Sequence, residues 1–175
     1  MAFPYEAGPQ HILLPVKGRF MLLTLVVALV LNLLPWRSIT GLPDWLALVI
    51  VFWSVHQPRR IGIGAAWIIG LTMDSADGAL LGQYALAYSL LSFGAGALSR
   101  RMLWFPLWPQ ALHVFILLLI TQIITLVVRL FAGGAWPGVW YFLSSVIGAA
   151  IWPVLSMLLL APQRKPELFD GNRPI

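Results

Sequence analysis

The feature that most constrains the fold is the stretch from residue 59 to residue 82, which opens with Arg59 and Arg60 and then turns apolar. It is long enough to cross a bilayer as a helix, which takes about 20 residues. Asp74 lies inside it, and a charge at the centre of a spanning helix costs about 2.5 to 3.5 kcal/mol of insertion free energy. We therefore predict that this stretch is the central, protein-packed helix of a polytopic membrane protein.

Small residues recur at every fourth position of this stretch, in register with Asp74. Such spacing places them along one helix face, and in lipid a face of small residues lets helices approach closely. The small residues in this register are Gly62, Ala66, Gly70, Gly78 and Gly82. The pattern predicts that this face is either a buried structural contact or a docking face for a partner helix. Whether the helix continues through Gly78 stays open, because Asp-Gly is also a turn signal.

Composition supports a membrane protein and excludes an ordinary cytosolic enzyme. The chain is 60% hydrophobic and 10% charged, whereas a soluble domain is about 25% charged. The net charge of +5 does not indicate nucleic-acid binding, because the basic residues occur in pairs between apolar runs and form no patch. The chain has no Cys, so it can form neither a disulfide framework nor a thiolate metal site.

Six apolar runs joined by short loops predict an all-α fold with six transmembrane helices. Asp44 is predicted to begin the second helix as its N-cap or first-turn acid. The predicted membrane domain covers residues 17–162, between an N-terminal tail, 1–16, and a C-terminal tail, 163–175. The predicted helices cover about residues 20–35, 45–56, 59–77, 84–98, 110–131 and 140–160.

The basic residues predict the orientation. Of the 11 Lys and Arg residues, all but Arg37 and Arg129 fall in the two tails and in the loops after the second and fourth helices. The positive-inside rule then places both termini in the cytoplasm. Two pairs, Arg59-Arg60 and Arg100-Arg101, are best explained as topology determinants. They could also dock a cytoplasmic acidic partner or an anionic lipid.

Asp74 and Asp77 are the candidates for chemistry. Three positions apart on a helix, they are neighbours, and a close acid pair can share a proton. A proton relay or an intramembrane hydrolase is therefore one interpretation. We favour a structural one, with Asp74 buried against polar groups and Asp77 near the interface, because the other predicted helices supply no interior second acid. His56 and His113 have no further ligands at metal-site spacing. The sequence predicts no catalytic, metal or cofactor site.

The order of several motifs resembles the rod shape-determining protein MreD family over about residues 19–160. The motifs that carry the resemblance are Pro43-Asp44-Trp45, Pro58-Arg59-Arg60-Ile61-Gly62, Gly70-Leu71 with Asp74, Gly78 and Leu81-Gly82, Trp108-Pro109-Gln110, and Trp140 to Ser145 with Trp152-Pro153. The resemblance implies a non-enzymatic scaffold in the bacterial inner membrane. It would bind the transmembrane helix of MreC and help couple MreB filaments to RodA and its class B penicillin-binding partner.

Two other functions stay open at this point. The MreD family is similar in fold to the substrate-binding components of energy-coupling-factor transporters, which implies a small-molecule-binding membrane subunit as the alternative. Such a subunit needs a polar cavity open to the outside, and the short outward loops are poor in polar groups. The other open function is an intramembrane enzyme that relies on Asp74 and Asp77. The sequence does not decide whether two copies form a homodimer or whether membrane lipid occupies a groove.

Overall fold

A computed structural model describes residues 18–34, 41–78 and 80–163. The predicted tails lie outside the described residues, apart from Gln163. Within the described ranges the chain is all-helical and has no strand. Two short 3₁₀ helices, Val139–Phe142 and Ala161–Gln163, flank the last α-helix. The α-helices are α1 (Gly18–Leu33), α2 (Trp45–His56), α3 (Ile63–Asp77), α4 (Gln83–Trp104), α5 (Leu107–Phe131) and α6 (Leu143–Leu160).

The central helix is α2, of whose 12 residues ten are buried. It begins where the Asp44 side chain accepts the Ala47 N–H at 2.9 Å, which confirms Asp44 as the predicted N-cap. Helices α1, α4 and α6 pack around it. A helix that is apolar on every side is stable only when it is covered all round, and α2 is the helix of this chain with that character.

The prediction that the 59–82 stretch forms the central helix is wrong. Helix α3 packs mainly against α4, and only Ala66, Gly70, Met73 and Asp74 are buried in it. Its outer face exposes large apolar side chains, among them Trp67 and Ile68. The physical reason is that α3 has a single face of small residues, so it can be covered closely from one side only.

Two helix ends differ in how well the sequence predicted them. Helix α3 ends at Asp77, and Gly78 takes the left-handed conformation at φ 64°, so the question left open at Gly78 is decided in favour of a break. Helix α4 was predicted to end at residue 98, before the Arg100-Arg101 pair, but it continues to Trp104. Arginine is a good helix former, and the helix stops because Phe105 precedes a proline and is therefore extended.

Charge is divided between the two ends of the helix bundle. Successive helices run in opposite directions, so the described acids Asp44, Asp74 and Asp77 lie together at the start of α2 and the end of α3, which we call the acid end. The opposite end, the arginine end, holds Arg19, Arg59, Arg60, Arg100 and Arg101. Arg129, near the C-terminus of α5, lies at the acid end.

Among the described residues, two helices are long and apolar enough to span a membrane, at Leu107–Phe131 and Val139–Gln163. A buried core helix can pass the same test, but only 33% of each apolar window is buried here. Apolar surface of that extent is unusual in a soluble monomer. Helices α1 and α2 are apolar but shorter, and 12 residues span about 18 Å of a hydrocarbon core about 30 Å thick. Six crossings therefore stay a prediction.

Candidate functional site

Asp74 caps the helix that follows it in the chain. The side chain is 1% exposed, and its Oδ2 accepts the N–H groups of Gly82 at 2.9 Å and Ala85 at 3.3 Å, while Oδ1 accepts that of Tyr84 at 2.7 Å. The first N–H groups of a helix have no partner within the helix, and they form the positive end of the helix dipole. The buried carboxylate is therefore compensated by backbone donors of its own chain.

The local sequence explains why this cap comes from another helix. The residue at the N-cap position of α4 is Gly82, which has no side chain to accept a hydrogen bond. The turn at Gly78 reverses the chain and brings the start of α4 back beside the last turn of α3. Asp74 then supplies the oxygen that Ser, Thr, Asp or Asn would supply at an ordinary N-cap.

The small face of α3 is occupied by α4. Ala66 and Gly70 are buried, and a Cβ built on Gly70 would lie 2.6 Å from the backbone N of Ala85. This close approach is what small residues permit. Of the residues in the predicted face, Ala66, Gly70 and Asp74 lie on the buried side of α3. Gly62 is the N-cap of α3, and Gly78 and Gly82 lie in the turn between α3 and α4.

Asp77 has a different environment from Asp74. It is half-buried as the last residue of α3 and lines a cavity at the acid end, whereas both oxygens of Asp74 accept N–H groups of α4 and its preceding turn. The two carboxylates are neighbours in sequence, but each has its own surroundings. The arrangement supports helix capping at Asp74 better than proton sharing between the two acids.

A second polar cluster joins three helices and is not among the sites predicted from the sequence. Asn32 donates from Nδ2 to Asp44 Oδ1 at 2.7 Å and accepts the Trp45 N–H at 3.0 Å. The Tyr88 hydroxyl donates to Asp44 Oδ2 at 2.7 Å. The carboxylate thus caps α2 and ties it to both α1 and α4. The available signal was Asn32 in an otherwise apolar run, because a buried amide needs partners.

A third polar cluster joins α5 to the start of α6. Gln122 donates to the Tyr141 carbonyl oxygen at 3.0 Å and to the Ser144 hydroxyl, and it accepts a hydrogen bond from the Ser145 hydroxyl. The hydroxyls of Thr125 and Tyr141 are 2.9 Å apart. The two serines therefore serve contacts between α5 and the start of α6.

A cavity of about 520 Å³ lies at the acid end between these clusters. Its volume is within the range of small-molecule sites, and several of its polar groups already hold helices together. Among the described residues, no group of three or more His, Asp or Glu side chains could hold a metal ion. Its polar lining consists of Asn32, Asp44, Asp77, Tyr84, Thr121, Gln122, Thr125, Arg129, Tyr141 and Ser144.

The two arginine pairs come together at the arginine end. Arg59 and Arg60 lie in the turn between α2 and α3, and Arg100 and Arg101 lie in the last turns of α4. All four are exposed. Both uses predicted for them, topology determination and docking of an anionic group, require this exposure.

Comparisons with known proteins identify the family. The sequence profile of the family described as rod shape-determining protein MreD matches residues 16–161. A curated relative from Haemophilus influenzae, named rod shape-determining protein MreD, is 30% identical over 147 residues, which cover 82% of this chain and 90% of the relative. No solved structure matches, so the similarity to energy-coupling-factor components stays a prediction.

The fold and the site define an all-helical protein whose buried polar groups join its own helix ends and which, in the part that the structure describes, has two helices able to span a membrane. Within that class, the chain belongs to the rod shape-determining protein MreD family. The resemblance found in the sequence is thereby confirmed, and with it a role in rod shape determination. The names of the family and of the relative refer to cell shape and not to transport, so the comparisons give the small-molecule alternative no support.

Proposed function

We propose that the protein is a non-enzymatic scaffold of the bacterial cell-elongation machinery in the inner membrane. It crosses the membrane six times with both termini in the cytoplasm and binds the transmembrane helix of MreC. Through MreC it helps to couple MreB filaments to RodA and its class B penicillin-binding partner during peptidoglycan synthesis. Membership of the MreD family supports the cell-shape role.

The observation that carries the scaffold proposal is the set of three N–H groups that donate to Asp74. Asp74 is the buried acid that an intramembrane enzyme would need most. Both oxygens of this carboxylate already accept backbone N–H groups of the same chain, so its contacts are those of a helix cap. This engagement favours a structural acid, and hence a protein that acts by binding.

The docking surface for MreC follows from what the fold leaves uncovered. The buried part of the small face on α3 already contacts α4, so we propose that it supports docking indirectly by holding the shape of the α3–α4 pair. Direct contact then falls to outer faces with exposed apolar side chains. One representative of each such face is Val26 on α1, Ile68 on α3, Phe93 on α4 and Val154 on α6.

Site-specific photocrosslinking in intact rod-shaped cells tests the proposal. A photoreactive residue is placed at Val26, Ile68, Phe93 or Val154 in turn, and the captured protein is identified by mass spectrometry. Phe52, which is fully buried in α2, is the control position. We expect capture of MreC from one face and none from Phe52. Absence of MreC from all four faces would remove the proposal, and capture of a second copy of this chain would identify a homodimer face.

A further inference from the structure

A second cavity lies at the arginine end, between the last turns of α4 and the start of α5. Its volume is about 540 Å³, and it is lined by Arg100, Arg101, Trp104, Phe105 and His113. It differs from the cavity at the acid end in its chemistry, because its described lining residues combine cations with aromatic rings and include no acid. The proposed scaffold role makes no use of it.

The wall of this cavity is held in place by interactions with α5 and α6. Gln110 donates to the Phe105 carbonyl oxygen at 2.9 Å and accepts the Trp152 indole N–H at 3.3 Å. His113 donates from Nδ1 to the Pro109 carbonyl oxygen at 2.9 Å, and its ring stacks on Phe105 with centroids 5.7 Å apart. The carbonyl oxygen requires the proton on Nδ1, so Nε2 is the ring nitrogen that a ligand can engage.

Among the residues that the structure describes, the cations of this cavity have no acidic counterpart. The sequence contains no Asp or Glu from residue 78 to residue 166, so α4, α5 and α6 contribute none. The acids of the described ranges all lie at the acid end. Arg100 and Arg101 are exposed and make no ion pair with any described residue. Guanidinium groups bind phosphate well because their planar donors match its oxygens in pairs.

The aromatic residues indicate the depth of the cavity in the membrane. Helix α5 has 25 residues and is therefore about 38 Å long, which exceeds a hydrocarbon core of about 30 Å. Its ends thus reach the headgroup layer. Trp104 is 90% exposed and Trp108 is 75% exposed beside the cavity. Exposed Trp favours the headgroup layer, where an amphipathic ring contacts both water and acyl chains.

We propose that this cavity is a binding site for the headgroup of an anionic phospholipid. Arg100 and Arg101 bind the phosphodiester, Trp104 and Phe105 contact the glycerol backbone and the adjoining acyl chain, and His113 Nε2 is available to a headgroup hydroxyl. The site is independent of MreC binding. It gives the α4–α5 corner a lipid preference that the apolar faces of the protein cannot supply, because those faces contact only acyl chains.

Lipid binding to the purified full chain in detergent tests the proposal. Native mass spectrometry is used to titrate the chain with phosphatidylglycerol and, separately, with phosphatidylcholine. The variant R100Q/R101Q removes the cations of the cavity, and R59Q/R60Q removes the same charge from the same end outside it. We expect R100Q/R101Q to bind phosphatidylglycerol about thirtyfold more weakly, because each of the two cations contributes about 1 kcal/mol near an anionic surface. R59Q/R60Q should stay within about twofold of the wild type. Phosphatidylcholine should bind the wild type more weakly and lose less affinity in R100Q/R101Q, because its choline cation offsets the phosphate charge.

Two further variants keep the outcome decisive. W104S retains both arginines and should weaken phosphatidylglycerol binding severalfold. If R100Q/R101Q does not fold, R101Q alone replaces it in the comparison with R59Q/R60Q. Equal loss in both arginine-pair variants would mean a diffuse charge effect and would overturn the proposal, as would unchanged binding in R100Q/R101Q. If R100Q/R101Q bound phosphatidylglycerol like the wild type but no longer co-purified with an acidic protein, Arg100 and Arg101 would be assigned to a protein partner instead.

Discussion

At the scale of single residues, the buried carboxylates act as helix caps. Asp74 has no cation among the described residues in contact with it, yet it is nearly fully buried. Its charge is balanced by three N–H groups at the positive end of α4. A hydrogen bond to a charged group contributes about 1.5 to 3 kcal/mol, so several such bonds can compensate for burial of the acid. Asp44, which is partly buried, caps α2 through one backbone N–H, that of Ala47, and its other partners are the side chains of Asn32 and Tyr88.

Replacing Asp74 should destabilise the protein without removing any activity of its own. In D74N, the amide NH₂ group would face backbone donors, and at least one N–H would lose its acceptor at a cost of about 1 to 3 kcal/mol. We expect a clearly lower melting temperature in detergent, measured by the change in intrinsic Trp fluorescence on heating. D77N is the comparison variant, because it changes the neighbouring acid and leaves the three N–H donors of Asp74 in place, and D74N should melt below it. Wild-type melting in D74N would contradict the capping role.

The Tyr88 hydroxyl should contribute measurably to the attachment of α4 to α2. In Y88F, Asp44 loses a charged hydrogen bond of 2.7 Å, and the expected loss of unfolding free energy is about 1.5 to 3 kcal/mol. Y84F is the matched control, because the Tyr84 contact with Asp74 uses its backbone N–H, which the change does not touch. Denaturant titration of both variants in micelles makes the comparison, and similar midpoints would argue against the bond.

At the scale of elements, α3 and α4 form the most extensive helix contact among the described residues. Gly70 faces the first turn of α4, where a Cβ would lie 2.6 Å from the Tyr84 carbonyl oxygen and the Ala85 nitrogen. Both of those atoms belong to the backbone, which cannot rotate away as a side chain can. The pairing therefore depends on the absence of a side chain at one position, and the Asp74 cap depends on that pairing.

Two glycine-to-alanine changes in α3 should have opposite signs. Alanine is favoured over glycine in a helix by about 1 kcal/mol, and a Cβ at Gly64 meets no atom within 4 Å. G64A should therefore be neutral or stabilising, whereas G70A should push α3 away from α4 and lower the melting temperature. Circular dichroism in the same detergent measures both changes. A G70A protein as stable as G64A would show that the close approach is not required.

At the scale of the whole molecule, charge is separated between the ends of the bundle. The described acids lie at one end and five arginines lie at the other. This separation has two causes. Successive helices run in opposite directions, and these five arginines lie at the start of α1, in the turn between α2 and α3 and at the end of α4, which are all on the same side of the bundle. It is also the physical basis of the predicted orientation, because the end richer in Lys and Arg stays in the cytoplasm.

Thiol labelling can test that orientation directly, because the chain has no Cys of its own. P58C places a thiol in an exposed turn at the arginine end, and W136C places one in the exposed loop at the acid end. A membrane-impermeant maleimide should label W136C in intact spheroplasts and P58C only after lysis. The reverse pattern would invert the orientation, and equal labelling of both before lysis would contradict a protein that separates two compartments.

Sequence reasoning succeeded where a local signal decides the structure. The start of α2 at Trp45 follows from Pro43-Asp44. The structure confirms it, because the Asp44 side chain accepts the N–H of Ala47 in the first turn of the helix. The end of α3 at Asp77 follows from Gly78, although Asp-Gly alone did not settle it. The end of α4 was missed because an arginine pair was interpreted as a loop, whereas arginine is compatible with a helix and the next proline determines the stop.

By itself, the sequence determined the family, the helical fold class, the separation of the charges and the residues of α3 that share a face. Only the tertiary structure decided that α2 is central, that α4 covers the small face, and that Asp74 completes the start of α4. The physical reason is that spacing along a chain specifies which side chains lie on the same side of a helix. It does not specify which neighbour covers that side, since burial is a property of two surfaces in contact.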